Sequence, residues 1–348
     1  MIETVEIKNF RCFDKLTLKG LKPINVIVGR NASGKTAFLE ALYFALGSPA
    51  LALKLRGWRG LGQQIQFNES NSSRNAVWRD LFYNFDQAKR VSIEFNGTSN
   101  IERKVEIQYD RRAPQHILKD ESGSTKFGST PPLEFKYSHN GKFLTTVRPD
   151  YHADGIKLAG SPDPLPGAFF PSGALIDPSE TALNFSALSK SGDADDVISA
   201  LEQLFPITGL SLEINSLSTM VHTRISGKIE KVPIGLVSTG VTKVLAYLVA
   251  IANNPKGVVI IDEIENGFYY DTMVSIWTTL HAFSRKYDVQ LFASTHSREC
   301  LKAIEPAVSG DVDDFSLLRA VREEDRSKIN SFEGRDLLSA LEEEVEIR

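Results

Sequence analysis

The chain has 348 residues, 42% of them apolar and 24% charged, and a formal net charge of −4; this is the composition of a folded protein with a real core, of about 150 residues per domain, and it excludes a mainly disordered chain. Its longest apolar run, Val244 to Ala252, has nine residues, about half a membrane span, and no basic leader opens the chain. Two cysteines, Cys12 and Cys300, exclude a disulfide framework or a four-thiolate zinc site, so a cytoplasmic protein without membrane partners is expected, with any nucleic-acid contact confined to a local patch.

The first strong pattern is Ile24-Asn25-Val26-Ile27-Val28, a short apolar strand, followed by Gly29-Arg30-Asn31-Ala32-Ser33-Gly34-Lys35-Thr36 and a run of helix formers to Leu46. Strand, glycine loop and helix together are the context of a phosphate-binding loop. Glycines let backbone N–H groups of Asn31 to Ala37 turn onto phosphate oxygens, and the helix N-terminus adds positive dipole. Lys35 is expected on the β- and γ-phosphates of ATP, and Thr36 on Mg²⁺.

Segment 48–90 carries seven basic residues (Lys54, Arg56, Arg59, Arg74, Arg79, Lys89, Arg90) against three acidic ones, with Trp58 and Trp78 interleaved. It is the one candidate nucleic-acid patch; a solvated insertion with amphipathic arginines is the plainer reading. Residues 91–95 and 101–109 alternate like a hairpin with Asn96-Gly97 as its turn signal. Residues 110–172 read as loop-rich, with a linker-like Ser161-to-Gly167 stretch, and strands resume near 210–236.

Val258-Val259-Ile260-Ile261-Asp262-Glu263 is an apolar strand ending in two carboxylates. Four unbroken apolar residues suit a strand buried on both faces, and its C-terminal end is where ligands bind in α/β sheets. Asp262 suits support of Mg²⁺ and Glu263 suits a general base on the attacking water; a solvated pair at a strand end is the alternative. A helix follows, capped by Asp271, with Met273, Ile276, Trp277, Leu280, Phe283 and Tyr287 at core spacing. The next strand, Val289 to Thr295, ends in His296, placed to donate to the γ-phosphate.

This order of motifs resembles the ABC-type ATPase heads of the RecF, SMC and OLD group. The opening Glu6-Ile7-Lys8-Asn9-Phe10-Arg11-Cys12-Phe13 resembles that group's N-terminal strand and turn, which implies that Arg11 approaches the nucleotide; a surface turn arginine is the alternative. Gly235 to Lys243 resembles the signature motif ahead of the apolar helix, which implies that Ser238 and Gly240 bind the γ-phosphate held by a second subunit. An ST-turn before a helix explains Ser238 equally well. The tail from Leu337 resembles those of free-standing OLD-like ATPases. Two features depart from the group: Phe268-Tyr269-Tyr270 stands where a Leu-His-Pro-like segment is usual, and the Q-loop glutamine is open among Gln63, Gln64 and Gln66.

The resemblance implies an α/β fold, a P-loop ABC-ATPase head with mixed central sheet, β-rich N-terminal lobe and helical insertions. One head would span 1–348: a P-loop lobe (1–47), the basic insertion (48–90), strands and loops (91–171), and the lobe of signature, Asp-Glu strand and histidine (172–348). It implies a homodimer, or a higher oligomer built from it, with ATP in the seam, acting on DNA or controlling a separate nuclease or toxin, in anti-phage defence or DNA repair. The competing reading is a scaffold or sensor with slow turnover. A transporter subunit is disfavoured because Ser238-Thr239-Gly240 lacks the second glycine, and a GTPase because no N-K-x-D motif occurs. Only 52 residues follow His296, too few for an appended Toprim nuclease, and Asp311, Asp313 and Asp314 read as loop charges. Lys35→Ala is expected to abolish nucleotide binding in a fluorescent-ATP titration; wild-type affinity in that variant would contradict the phosphate-loop reading.

Overall fold

A computed structural model of the protein describes residues 1–47, 78–98, 101–111, 117–119, 125–127, 131–152, 155–158, 164–214, 219–308, 311–324 and 326–333. The first strands are β1 (Ile2–Phe10), β2 (Phe13–Lys19) and β3 (Ile24–Val28), and helix α1 (Lys35–Ala45) follows. Then come β4 (Val91–Gly97), β5 (Ile101–Tyr109), the small pair β6 (Ile117–Lys119) and β7 (Thr125–Phe127), β8 (Leu133–His139) and β9 (Lys142–Val147). A second small pair, β10 (Asp150–His152) and β11 (Gly155–Lys157), precedes β12 (Gly167–Phe170), α2 (Pro178–Ser191) and α3 (Ala194–Leu204). Strands β13 (Ile207–Ile214), β14 (Thr219–Ile225) and β15 (Lys231–Pro233) form a small antiparallel sheet ahead of α4 (Thr239–Asn253) and β16 (Val258–Ile261). The chain continues with α5 (Met273–Tyr287), β17 (Gln290–Ser294), α6 (Arg298–Lys302), α7 (Ile304–Val308), β18 (Phe315–Glu323) and β19 (Arg326–Glu333). Among the described residues, no helix is long and apolar enough to cross a membrane.

Two six-stranded sheets organise these elements. One is antiparallel, in the order β2-β1-β4-β5-β8-β9; the other is mixed, in the order β12-β16-β17-β3-β18-β19, parallel except for the β18–β19 pair. The apolar runs of the mixed sheet follow from burial on both faces. Ile24, Val26 and Val28 of β3, Val259 and Ile261 of β16, and Leu291 and Ala293 of β17 face the core under α4 and α5. Ile27, Ile260 and Phe292, one step out of phase, face a second core shared with α1 and the antiparallel sheet, as the two-residue period of a strand requires. Helix α1 is thereby packed between the sheets: Phe38 meets Phe292 edge-on at 6.3 Å, and Phe44 stacks on Phe135 at 6.5 Å. Buried Gln290 ties the sheets together at the opposite end, accepting from Ile2 N at 2.7 Å and donating to Ile2 O at 2.8 Å.

Several expectations change. Asn96-Gly97 is not the hairpin turn: Asn96 pairs with Glu102 and Gly97 with Ile101, so the strand runs through them and the turn lies beyond. The described part of 110–172 is richer in strands than expected: β8 and β9 complete the antiparallel sheet and β12 forms an edge of the mixed one, while residues 161–163 of the linker-like stretch lie outside the described residues. Helices α2 and α3 were not foreseen, although Asp177 caps α2 through Ser179 N and Pro178 opens it, both legible start signals. Asp271 caps nothing; it sits in a 3-10 turn, and Thr272 precedes α5 in helical conformation without a side-chain cap. Helix α4 begins at Thr239, inside the signature-like segment rather than after it.

Trp78 is fully buried and packs edge-on against Phe135 at 5.6 Å, so it is a core residue and not part of a nucleic-acid patch. The rest of that candidate patch before Trp78, the three glutamines and the tail from Leu337 lie outside the described residues. Trp78→Ala is expected to lower unfolding stability by about 3–5 kcal/mol in urea titrations; a change under about 1 kcal/mol would contradict the core placement.

Candidate functional site

The loop from β3 to α1 turns on three left-handed residues, Gly29 (φ 144°), Ala32 (φ 62°) and Gly34 (φ 107°). A side chain would not fit at Gly29, and at Gly34 it would be crowded and its backbone strained. A Cβ on Gly29 would fall 2.2 Å from Ala320 O, and one on Gly34 would fall 3.0 Å from Cys12 Sγ and 3.1 Å from the Phe13 ring. The β1–β2 turn therefore lies directly against the loop. Lys35 Nζ sits inside the loop and donates to Gly29 O at 2.7 Å and Arg30 O at 3.1 Å. Burial lowers its pKa, while the charges of Asp262, Glu263 and Glu265 pull it back up. Asn31 and Ala32 are exposed at the crest, Ala37 packs on the second core, and Ser33 Oγ is buried with no hydrogen-bond partner among the described residues.

The mixed sheet brings the other groups to the same edge. In the order β12-β16-β17-β3, four parallel strands end side by side, which places Asp262 after β16 next to the loop after β3. Asp262 is 6% exposed; its Oδ2 accepts from Thr36 Oγ1 at 2.8 Å and its Oδ1 from Ser294 Oγ at 2.5 Å. Burial raises its pKa, opposed by these two hydrogen bonds and by the charge of Lys35. Glu263 has a left-handed backbone (φ 55°), uncommon for a side-chain-bearing residue, held by its N–H donating to Ser294 Oγ at 2.8 Å. Its Oε2 accepts from Ser172 Oγ and, at 2.7 Å, from Asn266 Nδ2. Burial pushes the Glu263 pKa upward, but those hydrogen bonds, with the charges of His296 and Lys35, leave it below its ordinary value.

His296 follows β17 and is half exposed, with Nδ1 2.9 Å from Glu265 Oε1. The same oxygen accepts from the His296 backbone N–H at 2.9 Å. A carboxylate on Nδ1 leaves Nε2 as the nitrogen turned outward. Ser238 is the N-cap of α4, its Oγ accepting from Val241 N at 3.2 Å. Gly240 is buried in the first turn, and Lys243, one turn on, donates to Asn266 O at 2.8 Å. The signature-like helix thus leans on the loop after Glu263, where Tyr269 and Tyr270 are exposed with ring centroids 4.7 Å apart. Arg11 pairs with buried Glu40 of α1 at 2.5 Å and with Asp80 at 3.6 Å. Asp311 pairs with Arg285 and Asp314 with His281, each at 2.9 Å, and among the described residues no acidic, histidine or cysteine cluster could hold a metal by itself.

Lys35, Thr36, Asp262 and Glu263 therefore form one hydrogen-bonded and electrostatic group, with His296 at its rim. Ser238 and Gly240 lie on a separate element. Sequence reasoning missed Ser172, Ser294, Glu265 and Asn266. The signal for Ser294 was a polar residue closing an apolar strand; Ser172 had none, because β12 itself was not foreseen.

The protein family described as "AAA domain, putative AbiEii toxin, Type IV TA system" matches residues 24–302. A Helicobacter pylori protein named ATP/GTP phosphatase is 23% identical over 346 residues, covering 88% of each chain. The RecF protein of Idiomarina loihiensis, named for DNA replication and repair, is 32% identical over 125 residues, which is 35% of this chain and 32% of RecF. A solved Smc head bound to the C-winged helix domain of ScpA superposes with a TM-score of 0.55 over 97% of this chain and 99% of that one at 16% identity, a likeness of fold.

Ser294→Ala leaves Asp262 Oδ1 and Glu263 N–H without their partner. It is expected to cost about 1–3 kcal/mol of unfolding stability in urea titrations; wild-type stability would contradict the hub role of this hydroxyl.

Proposed function

The chain belongs to the AAA-domain family whose match spans residues 24–302 and is an ABC-type ATPase of the RecF and SMC group; on that premise we propose that it is a dimeric switch that closes on ATP and opens on hydrolysis. The observation that carries the reading is the meeting of Thr36 with Asp262 at 2.8 Å, beneath a loop that holds Lys35.

The residues fit a nucleotide–metal pair. A hydroxyl and a carboxylate make the hard oxygen set that Mg²⁺ takes alongside phosphates, and they converge at the strand ends. The buried Ser33 Oγ, without a hydrogen-bond partner among the described residues, lies in the same loop, and the loop's N–H groups suit phosphate oxygens. Thr36 and Asp262 would hold Mg²⁺, which when bound neutralises charge on the β- and γ-phosphates. Lys35 adds its own positive charge to the same oxygens. Glu263 orients the water: as the water oxygen bonds to the γ-phosphorus, the bond to the bridging oxygen breaks, ADP departs and the water's proton passes to the Glu263 carboxylate. His296, oriented by Glu265, presents Nε2 to the γ-phosphate.

Ser238 and Gly240 act on the nucleotide of a second copy. As a cap, the Ser238 oxygen accepts from Val241 N, which leaves its hydrogen to donate to a phosphate, and the positive end of α4 faces the same way. Hydrolysis removes that bridging γ-phosphate, so the copies part. The output is control of DNA or of a separate nuclease or toxin in a cytoplasmic defence or repair system. The names RecF and AbiEii toxin among the similar proteins support that class of output. A slow-turnover scaffold that holds a separate protein is the second reading, favoured by the exposed Tyr269-Tyr270 pair, which offers an aromatic contact surface.

Glu263→Gln is expected to bind ATP with wild-type affinity and to turn over about 10²-fold or more slowly; unchanged turnover would remove Glu263 from the base role. Turnover assays with and without DNA separate the two outputs. Strong DNA stimulation favours a DNA-directed ATPase, and slow, DNA-indifferent turnover with a co-purifying protein favours the scaffold.

A further inference from the structure

We propose that Ser172 is a positioning residue for hydrolysis: its hydroxyl, carried on the loop after β12, holds one oxygen of Glu263 and thereby aims the other at the attacking water. The inference rests on Glu263 being the group that receives the water's proton.

Sheet register brings the two residues together across 91 positions of sequence. Strands β12 and β16 are parallel, with Phe170 opposite Ile261, and Asp262 N–H donates to Phe170 O at 2.8 Å. Ser172 lies two residues beyond Phe170 and Glu263 two beyond Ile261. The matched step out of the sheet sets the hydroxyl against the carboxylate. Ser172 sits between Pro171 and a left-handed Gly173 (φ 75°), so proline restricts the backbone on one side and glycine completes the turn on the other.

The direction of the hydrogen bonds gives the contact its function. Both side-chain donors, Ser172 Oγ and Asn266 Nδ2, reach Oε2 of Glu263. Among the described residues no hydrogen bond reaches Oε1, which leaves that oxygen to accept from water. Ser294 holds the backbone of Glu263 through its N–H but does not touch its carboxylate. Asn266 belongs to the same turn and moves with it. Ser172 is the donor that comes from another strand, so it fixes the carboxylate relative to the sheet edge where Lys35 and Asp262 sit. Without it, the carboxylate can rotate about its side-chain torsions while the backbone stays in place.

The experiment compares wild type, Ser172→Ala, Ser172→Thr, Glu263→Gln and the Ser172→Ala/Glu263→Gln double variant, reading kcat, KM and affinity for a fluorescent ATP analogue. Misplacing a catalytic group by an ångström costs up to about 10²-fold in rate. Ser172→Ala is therefore expected to lower kcat by about 10- to 100-fold with KM and ATP affinity unchanged. Ser172→Thr, which keeps the hydroxyl, is expected to hold near-wild-type kcat, and Ser172→Ala is expected to add nothing on top of Glu263→Gln, as coupled residues do. A slow Glu263→Gln beside a wild-type Ser172→Ala overturns this inference alone. So does an equal loss from Ser172→Ala in both backgrounds, a Thr variant as slow as the Ala variant, or weakened ATP binding in Ser172→Ala. Wild-type turnover in Glu263→Gln overturns the base reading itself and this inference with it.

Discussion

The hydrogen bonds of one buried carboxylate hold the functional edge of this protein together. Asp262 accepts from Thr36 at the start of α1, 226 positions away, and from Ser294 at the end of β17, 32 positions away, so the ends of three elements share one side chain. An unpaired buried carboxylate costs several kcal/mol. Two hydroxyl donors and the Lys35 ammonium offset that cost, and they do so only in this arrangement. The same Ser294 hydroxyl accepts from Glu263 N–H, which stabilises the left-handed turn that presents the glutamate. The phosphate loop, Asp262 and Glu263 are therefore one coupled unit.

The two cores make that unit rigid. Each central strand contributes alternate residues to a helical core and to a core shared with the antiparallel sheet, so the strand ends cannot shift without disturbing packing on both faces. Helix α1 lies between the sheets with its N-terminus at the site, and Arg11 of the β1–β2 turn pairs with its buried Glu40. That pairing gives Arg11 a packing role beside the loop, one that a nucleotide-facing assignment had not included. In the same way Ser238 is both a helix cap and the proposed contact to a second copy. A cap oxygen accepts and keeps its hydrogen, so the two roles are compatible.

Much of the site was legible because its local signals are strong. Gly29 sits where a Cβ has no room and Gly34 has a left-handed backbone in a crowded place, and the runs at 24–28 and 258–261 are mostly apolar because both their faces are covered. What escaped depended on long-range pairing. The edge strand β12 has four residues and follows a proline-rich stretch, so neither its existence nor the neighbour it gives Glu263 could be read from spacing. Trp78 looked like part of a basic surface because arginines flank it, yet sheet packing buries it against Phe135. Asp271 looked like a cap because an acidic residue precedes a helical stripe, but a 3-10 turn intervenes and the helix starts two residues later.

The functional account depends on ATP being gripped by two copies, one supplying Lys35, Thr36, Asp262 and Glu263 and the other Ser238 and Gly240. The direct measurement is an experimental structure of the Glu263→Gln protein loaded with Mg²⁺ and ATP. The account predicts a two-fold pair in which the Ser238 hydroxyl of each copy reaches the γ-phosphate on the other's loop. A nucleotide bound by Lys35 with Ser238 far from every phosphate, in a single copy or in a pair joined elsewhere, would contradict it.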